Sequence, residues 1–230
     1  MEYFSNEFFL IALTFGTYFL GKLLRRWTGW VVMNPILVSI CCLIVFLKVT
    51  GVSYDTYNQS GKMIEFWLRP AVEALGVPLY MQLSTIKKQL TPILLCEFIG
   101  CVVGIVSVVY IAKAMGASRE VILSLASKSV TTPIAMEVTK SIGGIPPLTA
   151  AVVVCVGLMC AVCGYRTMGF ARVKSPVAQG LSMGTAAHAV GTATAMEKSP
   201  VHGAYASLGL TLNGILTSLL TPSIIPLLGV

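Results

Sequence analysis

The segment SKSVTTPIAMEVTKSIGGIPPLTA, residues 127–150, decides how this chain folds, because it interrupts a sequence that otherwise consists of long apolar runs. It holds lysines, several hydroxyl side chains, a glycine pair and three prolines. At membrane depth, non-helical backbone is tolerated only where it is buried in protein or lines a water-filled cavity. The segment therefore predicts a break in the interior of a membrane protein rather than a lipid-facing helix.

The rest of the chain supports a membrane location. Its 230 residues are 56% hydrophobic and 11% charged, unlike an average soluble domain. A helix needs ~20 apolar residues to cross the hydrocarbon core, and five runs approach that length: 8–24, 30–47, 91–112, 147–165 and 203–229. A further segment, 66–83, carries two prolines and the pair Arg69–Glu73, and we expect it to face protein or water.

The charge pattern fits such a protein. The net charge of +7 is explained by basic cytoplasmic loops, and no nucleic-acid motif is present. The first apolar run has no basic region before it and no small-residue cleavage site after it, so we interpret it as a retained helix. The hydrophilic stretch 49–62 is predicted to be an external loop.

Two topologies are open for residues 118–142. If this segment and 146–165 both cross the membrane, the basic loop at 166–174 lies outside. If 118–142 instead enters and returns as a re-entrant hairpin, that loop joins the other basic clusters in the cytoplasm, as the positive-inside bias favours.

A second interruption, GLSMGTAAHAVGTATAMEKSP at 180–200, resembles the first, since Ala-Met-Glu occurs at both 135–137 and 195–197. We therefore predict one transmembrane domain, 1–230, with N-terminal helices in 1–112 and two hairpin-plus-helix repeats at 118–166 and 176–229. The predicted fold is an all-α polytopic membrane protein, with about six spanning helices and two re-entrant or broken helical hairpins in an inverted repeat. This architecture is typical of secondary transporters.

The breaks suggest an anion site. A helix that restarts after a break presents a partially positive N-terminus, which suits a carboxylate. His188 titrates near neutral pH and is a candidate for coupling a proton to substrate movement. Structural roles stay open: the hydroxyls can cap helices, Lys128 can extend to the interface, and His188 can be a buried hydrogen-bonding group. The candidate substrate-binding residues are Lys128, Ser129, Thr131, Thr132, Pro133, Gly184, Thr185, His188, Gly191 and Thr192.

No catalytic or metal-binding residue is predicted. The seven cysteines all lie in apolar segments, which argues against a disulfide framework. Cys160 and Cys163 form a C-x-x-C pair, but no second pair completes a zinc site. Lys128 and Ser129 are neighbours in sequence and point apart on a helix, which disfavours a Ser–Lys nucleophile. We expect no cofactor and no enzymatic activity.

Several long motifs are distinctive in this sequence: SKSVTTPIA, SIGGIPPLTA, GLSMGTAAHAVGTA, NPILV at 34–38, TGVSYDTY at 50–57 and LRPAVEALGVPLYMQL at 68–83. Through these motifs the chain resembles the CidB/LrgB family of bacterial membrane proteins. Glu137 and Lys140 depart from the family pattern, which makes shared roles for these two charges doubtful.

The resemblance implies two functions. The family was described as holin/antiholin-like, acting with a CidA/LrgA-type membrane partner on murein hydrolase activity and lysis. Related proteins move glycolate and glycerate in chloroplasts, and bacterial pairs are linked to pyruvate uptake. We therefore expect a homo-oligomeric inner-membrane carrier of small monocarboxylates, with the holin/antiholin-like role as the alternative.

Overall fold

The computed structural model describes residues 6–29, 33, 35–67, 70, 76–81 and 83–230. The described residues are mainly helical, without strands, and the protein is an all-α polytopic membrane protein. The chain divides into two compact units, Met1–Ala74 and Leu75–Val230. The predicted pair Arg69–Glu73 lies outside the described residues.

The first unit contains α1 (Glu7–Thr28), α2 (Pro35–Thr50) and α3 (Tyr54–Phe66). Asn6 caps α1 by accepting hydrogen bonds from the amides of Phe8 and Phe9, as its type favours. The expected external loop 49–62 is wrong in part, because α3 is helical from Tyr54 onward. A polar helix without an apolar stripe is difficult to tell from a loop by pattern.

The second unit begins with the short helices α4 (Gly76–Met81) and α5 (Leu83–Lys88) and the long helix α6 (Leu90–Ala114). It continues with α7 (Arg119–Ala126), α8 (Thr132–Ile142) and α9 (Pro146–Phe170). It ends with α10 (Pro176–Lys198) and α11 (Pro200–Leu227). Helix α6 packs against α7 and α10, and α11 packs against α6 and α8.

Within the described residues, four helices are long and apolar enough to cross a membrane: α1, α6, α9 and α11. The expected span 30–47 is a shorter apolar helix of 16 residues, α2. The sixth expected segment, 66–83, is described only in part. The described residues thus account for four of the predicted crossings by length.

Helices α7 and α8 form a helical hairpin, hereafter hairpin 1 (119–142). Ser127 Oγ donates to the carbonyl of Ala135 at 3.1 Å and lies 3.0 Å from Thr139 Oγ1, so the chain returns alongside itself. Thr149 Oγ1 donates to the carbonyl of Ser124 at 2.9 Å, which ties the first arm to α9. Proline at the first turn begins α8, and Gly143 ends it at a positive φ of 85°.

Helix α10 is also a hairpin, hereafter hairpin 2 (176–198), because it bends sharply at His188. That residue has φ 43° and ψ −135°, which interrupts the helix between two arms. A Cβ on Gly191 would collide with the carbonyl of Met183, eight positions earlier, so the arms run side by side. At the open end, Lys198 Nζ donates to Gln179 Oε1 at 2.7 Å.

Each hairpin is followed in the chain by one long helix, α9 after hairpin 1 and α11 after hairpin 2. Since α9 has 25 residues and is about 38 Å long, it is long enough to cross the bilayer once between the two hairpins. The inverted repeat predicted from the sequence requires such a crossing, because hairpin 2 would then enter from the face opposite to hairpin 1.

Candidate functional site

The bends of the two hairpins are joined by one side-chain amide. Asn213, on α11, donates through Nδ2 to the carbonyl of Ser129 at 3.0 Å and to the carbonyl of Thr185 at 2.9 Å. Breaks in a helix free carbonyl groups that must find donors when they are buried. Asn213 is 2% exposed and supplies both of its amide hydrogens to this purpose.

A cavity of about 330 Å³ lies where the bends meet. Its wall is built from the middle of α6, the bend of hairpin 1, the first arm of hairpin 2 and α11. The polar residues of the wall are Cys96, Glu97, Cys101, Lys128, Ser129, Ser182, Thr185, Asn213 and Thr217. The remaining lining residues are glycines and aliphatic side chains, so the cavity is mainly apolar with a few convergent polar groups, as expected of a ligand site.

Lys128 is the cation of this wall. Its ammonium group donates to Ser129 Oγ at 3.1 Å and is half-buried. The expectation that these two side chains point apart on a helix is wrong, because residues 127–130 form a turn. An ammonium carries three hydrogens, so two remain without an acceptor among the described residues. An anion in the cavity would meet these donors in surroundings of low dielectric, where a charged hydrogen bond is strong.

Glu97 is the carboxylate of the wall, and it is 1% exposed. Thr185 Oγ1 donates to Oε1 at 2.5 Å, which links α6 to hairpin 2. The other oxygen, Oε2, is buried and has no hydrogen-bond partner among the described residues. Gly209 of α11 allows this approach, because a Cβ there would lie 3.1 Å from Oε1.

Three of the ten predicted site residues line the cavity: Lys128, Ser129 and Thr185. The others lie outside its lining. Thr131 is the N-cap residue of α8, and Thr132 and Pro133 form the first turn of that helix. In hairpin 2, Gly184 and Thr192 contact the carbonyl of Ala206, while Gly191 packs against the opposite arm.

His188 points away from the cavity. Its ring is 4% exposed, and Nε2 lies 3.0 Å from the carbonyl oxygen of Val153 on α9. Gly157 leaves room for the ring, because a Cβ at that position would lie 2.8 Å from it. In this structure the histidine connects the bend of hairpin 2 to α9.

The helix ends at the cavity are also the reverse of those expected. The wall includes Ala126, the last residue of α7, and Thr185 and Ala186, near the end of the first arm of hairpin 2. Helix C-termini carry partial negative charge. The first turn of α8, which was expected to face an anion, is not part of the lining. Positive charge therefore comes from Lys128 rather than from helix N-termini.

Sequence reasoning missed Glu97 and Asn213 as site residues. Both lie inside long apolar helices, and each has its partners far along the chain. The available signal was their polarity, because an ionisable or amide side chain inside a spanning segment is costly and usually functional.

Comparison with known proteins places this architecture in a family. The model of the LrgB-like family matches residues 14–227. The proteins named "Antiholin-like protein LrgB" from Bacillus mycoides (strain KBAB4) and Bacillus cereus (strain B4264) are each 36% identical over 225 residues, 97% of this chain and 98% of theirs. The protein of the same name from Bacillus anthracis (strain CDC 684 / NRRL 3495) has the same identity and coverage. No solved structure matches the chain.

The match to the family model extends across both hairpins and the helices that surround the cavity, and the relatives align over nearly their whole length. The chain belongs to the LrgB-like family.

Proposed function

We propose that this protein is a carrier of small monocarboxylates, of the pyruvate, glycolate and glycerate class, in the bacterial inner membrane. The observation that carries the proposal is the meeting of two hairpin bends around a cavity that contains Lys128. Broken helices that meet in the interior of inverted repeats are the usual site of substrate binding in secondary transporters. The acid crosses unchanged, so no chemical conversion is involved.

The cavity suits a small anion in size and chemistry. Its volume of about 330 Å³ holds a small organic acid with several waters, at ~30 Å³ for each water. The Lys128 ammonium supplies charge, and the hydroxyls of Ser129 and Ser182 supply further donors in the wall. The aliphatic part of the wall fits a short carbon chain.

The resemblance noted in the sequence also supports a partner. We include in the proposal that the protein works with a CidA/LrgA-type membrane protein and forms homo-oligomers. Exposed apolar side chains cover much of α1, α6 and α9, which is expected for surfaces that meet lipid or other membrane helices.

A second candidate function is antiholin-like control of lysis. The relatives' shared name favours this function over transport, because it refers to antiholins and not to a substrate. The two functions differ in how solutes cross. A carrier shows saturable uptake that related acids compete for, whereas a holin-like assembly releases unrelated solutes without saturation.

Uptake of labelled pyruvate into liposomes that contain the purified protein tests the proposal. We expect saturable uptake that glycolate inhibits, and a reduction of about tenfold in uptake efficiency for Lys128→Ala, because the lost charged hydrogen bonds are worth at least about 1.4 kcal/mol. Lys140→Ala is the matched control, since Lys140 is exposed on hairpin 1 and outside the lining. Non-saturable release of unrelated dyes would support the antiholin-like function instead.

A further inference from the structure

The buried carboxyl group of Glu97 is only half satisfied. Oε1 accepts a hydrogen bond from Thr185 Oγ1, while Oε2 has no protein partner in the described part of the chain. An ionised carboxylate with a bare buried oxygen is strongly unfavourable, because nothing replaces the water that the oxygen lost. Neutralisation of the carboxylate removes this cost.

A proton on Oε2 neutralises the carboxylate and links its charge to binding in the cavity. When Oε2 is protonated, the negative charge of Glu97 disappears. The ionised form repels an anion in the neighbouring cavity, whereas the protonated form does not. Protonation of Glu97 therefore favours binding of an anion.

The charges around Glu97 act in the same direction. Among the lining residues, the single cation is Lys128, on hairpin 1. The other titratable groups of the wall are two thiols on the same helix as Glu97, Cys96 and Cys101. Hairpin 2 and α11 supply neutral polar groups: Thr185, Asn213 and Thr217. When an anion pairs with Lys128, no other cation of the lining is left to stabilise an ionised Glu97. Protonation of Glu97 then becomes more favourable.

We propose that Glu97 binds, on Oε2, the proton that enters with the organic anion, so that the cavity takes up one monocarboxylate and one proton together. This inference rests on the proposed carrier function and names its coupling group. The proton comes from water on the side of entry and returns to water on the side of release. Because the linkage is reciprocal, acid strengthens binding of the anion and the anion strengthens binding of the proton.

Two transport measurements on labelled pyruvate in liposomes separate coupling from binding. The first is accumulation driven by a pH gradient, alkaline inside, and the second is exchange of external label for internal pyruvate at equal pH. A gradient of one pH unit supports at most about tenfold accumulation. Glu97→Gln keeps a neutral side chain with a donor, so we expect exchange to persist while gradient-driven accumulation is lost. Glu137→Gln is the control, because Glu137 is exposed and outside the cavity.

The outcomes distinguish the two proposals. If the wild type exchanges pyruvate but Glu97→Gln still accumulates it in response to the gradient, the role of Glu97 is wrong and the carrier stands. The same holds if the wild type exchanges without accumulating. If the wild type shows neither activity, the carrier function fails and this inference fails with it.

A second measurement does not depend on how well the variant folds. Addition of pyruvate to the purified wild-type protein in weakly buffered detergent should remove protons from solution. We expect uptake that approaches one proton per bound pyruvate at the alkaline end of the range and declines toward acid pH. Pyruvate binding without proton uptake at any pH overturns the proposal.

Discussion

At the scale of single residues, the side-chain amide of Asn213 stabilises both hairpins. It satisfies one carbonyl from the bend of hairpin 1 and one from the bend of hairpin 2, positions 84 and 28 residues away along the chain. Thr217 adds support, since its hydroxyl lies 3.4 Å from Asn213 Oδ1. The geometry of the cavity therefore depends on one side chain that is not itself in either hairpin.

Asn213→Ala should destabilise the protein by about 2 kcal/mol, because it leaves two buried carbonyl groups without donors. Thermal unfolding in detergent measures this as a lower midpoint than that of the wild type. Asn58→Ala on α3 is the control, since Asn58 is exposed. An unchanged midpoint for Asn213→Ala would show that water replaces the amide at no loss.

Single residues were also where sequence reasoning succeeded and failed most clearly. Lys128, Ser129 and Thr185 could be predicted because they lie at breaks that proline, glycine and hydroxyl residues mark in the sequence. Glu97 was missed: its polarity inside an apolar helix was a signal, but its partner Thr185 lies 88 positions away and the sequence near α6 gives no indication of that contact. Asn213 has the same character. Contacts of this range follow from the fold, which periodicity does not specify.

At the scale of elements, hairpin 2 lies unusually close to α11. The contact is made by glycines: a Cβ on Gly184 would collide with the carbonyl of Ala206, and one on Gly209 would lie 2.7 Å from the carbonyl of Leu181. Small residues that let helix backbones approach are a common means of helix association in membranes. Here they set the position of Thr185 in the cavity wall.

Gly184→Ala should therefore displace the first arm of hairpin 2 from α11. We expect a marked loss of thermal stability and of pyruvate uptake, because backbone atoms of both helices must move apart. Gly169→Ala on α9 is the matched control, since a Cβ there has nothing within 4 Å and the exchange favours helix formation. If both variants behave alike, the close approach does not hold the hairpin in place.

The elements differ in how well the sequence predicts them. Proline marks the starts of α8 and α9, and both hairpins lie within the predicted segments. The bend of hairpin 2 is less visible, because it falls on His188, a residue without proline beside it and with a positive φ that usually indicates glycine. Tertiary contacts to α9 and α11 stabilise that bend, so local propensity does not reveal it.

At the scale of the whole molecule, the second unit contains two hairpins, each followed in the chain by one long helix. The positive-inside bias predicted this arrangement over a full crossing of 118–142, since it gathers the basic loop at 166–174 with the other basic clusters. The structure shows contacts between the arms of each hairpin, and the side of the membrane from which each hairpin enters stays a prediction. The sequence therefore specifies the order of the elements well, and the pairing of the two bends less well.

The arrangement predicts which loops share a side of the membrane. With native cysteines replaced, Ser118→Cys and Lys140→Cys should react with an impermeant maleimide from the same side, because hairpin 1 returns to its entry face. Lys174→Cys should react only from the cytoplasmic side, which is the opposite one. All three positions are exposed. Labelling of positions 118 and 140 from different sides would contradict the hairpin and favour a full crossing.

The bridge between the bends restricts how the cavity changes its access. Pulling the two bends apart would strip Asn213 of both acceptors at once and leave them unpaired in the interior of the membrane. A motion that preserves both bonds is less costly, and it requires the hairpins and α11 to translate as a single rigid block. Alternating exposure of this cavity would then occur by rigid-body translation of that block and not by separation of the two hairpins.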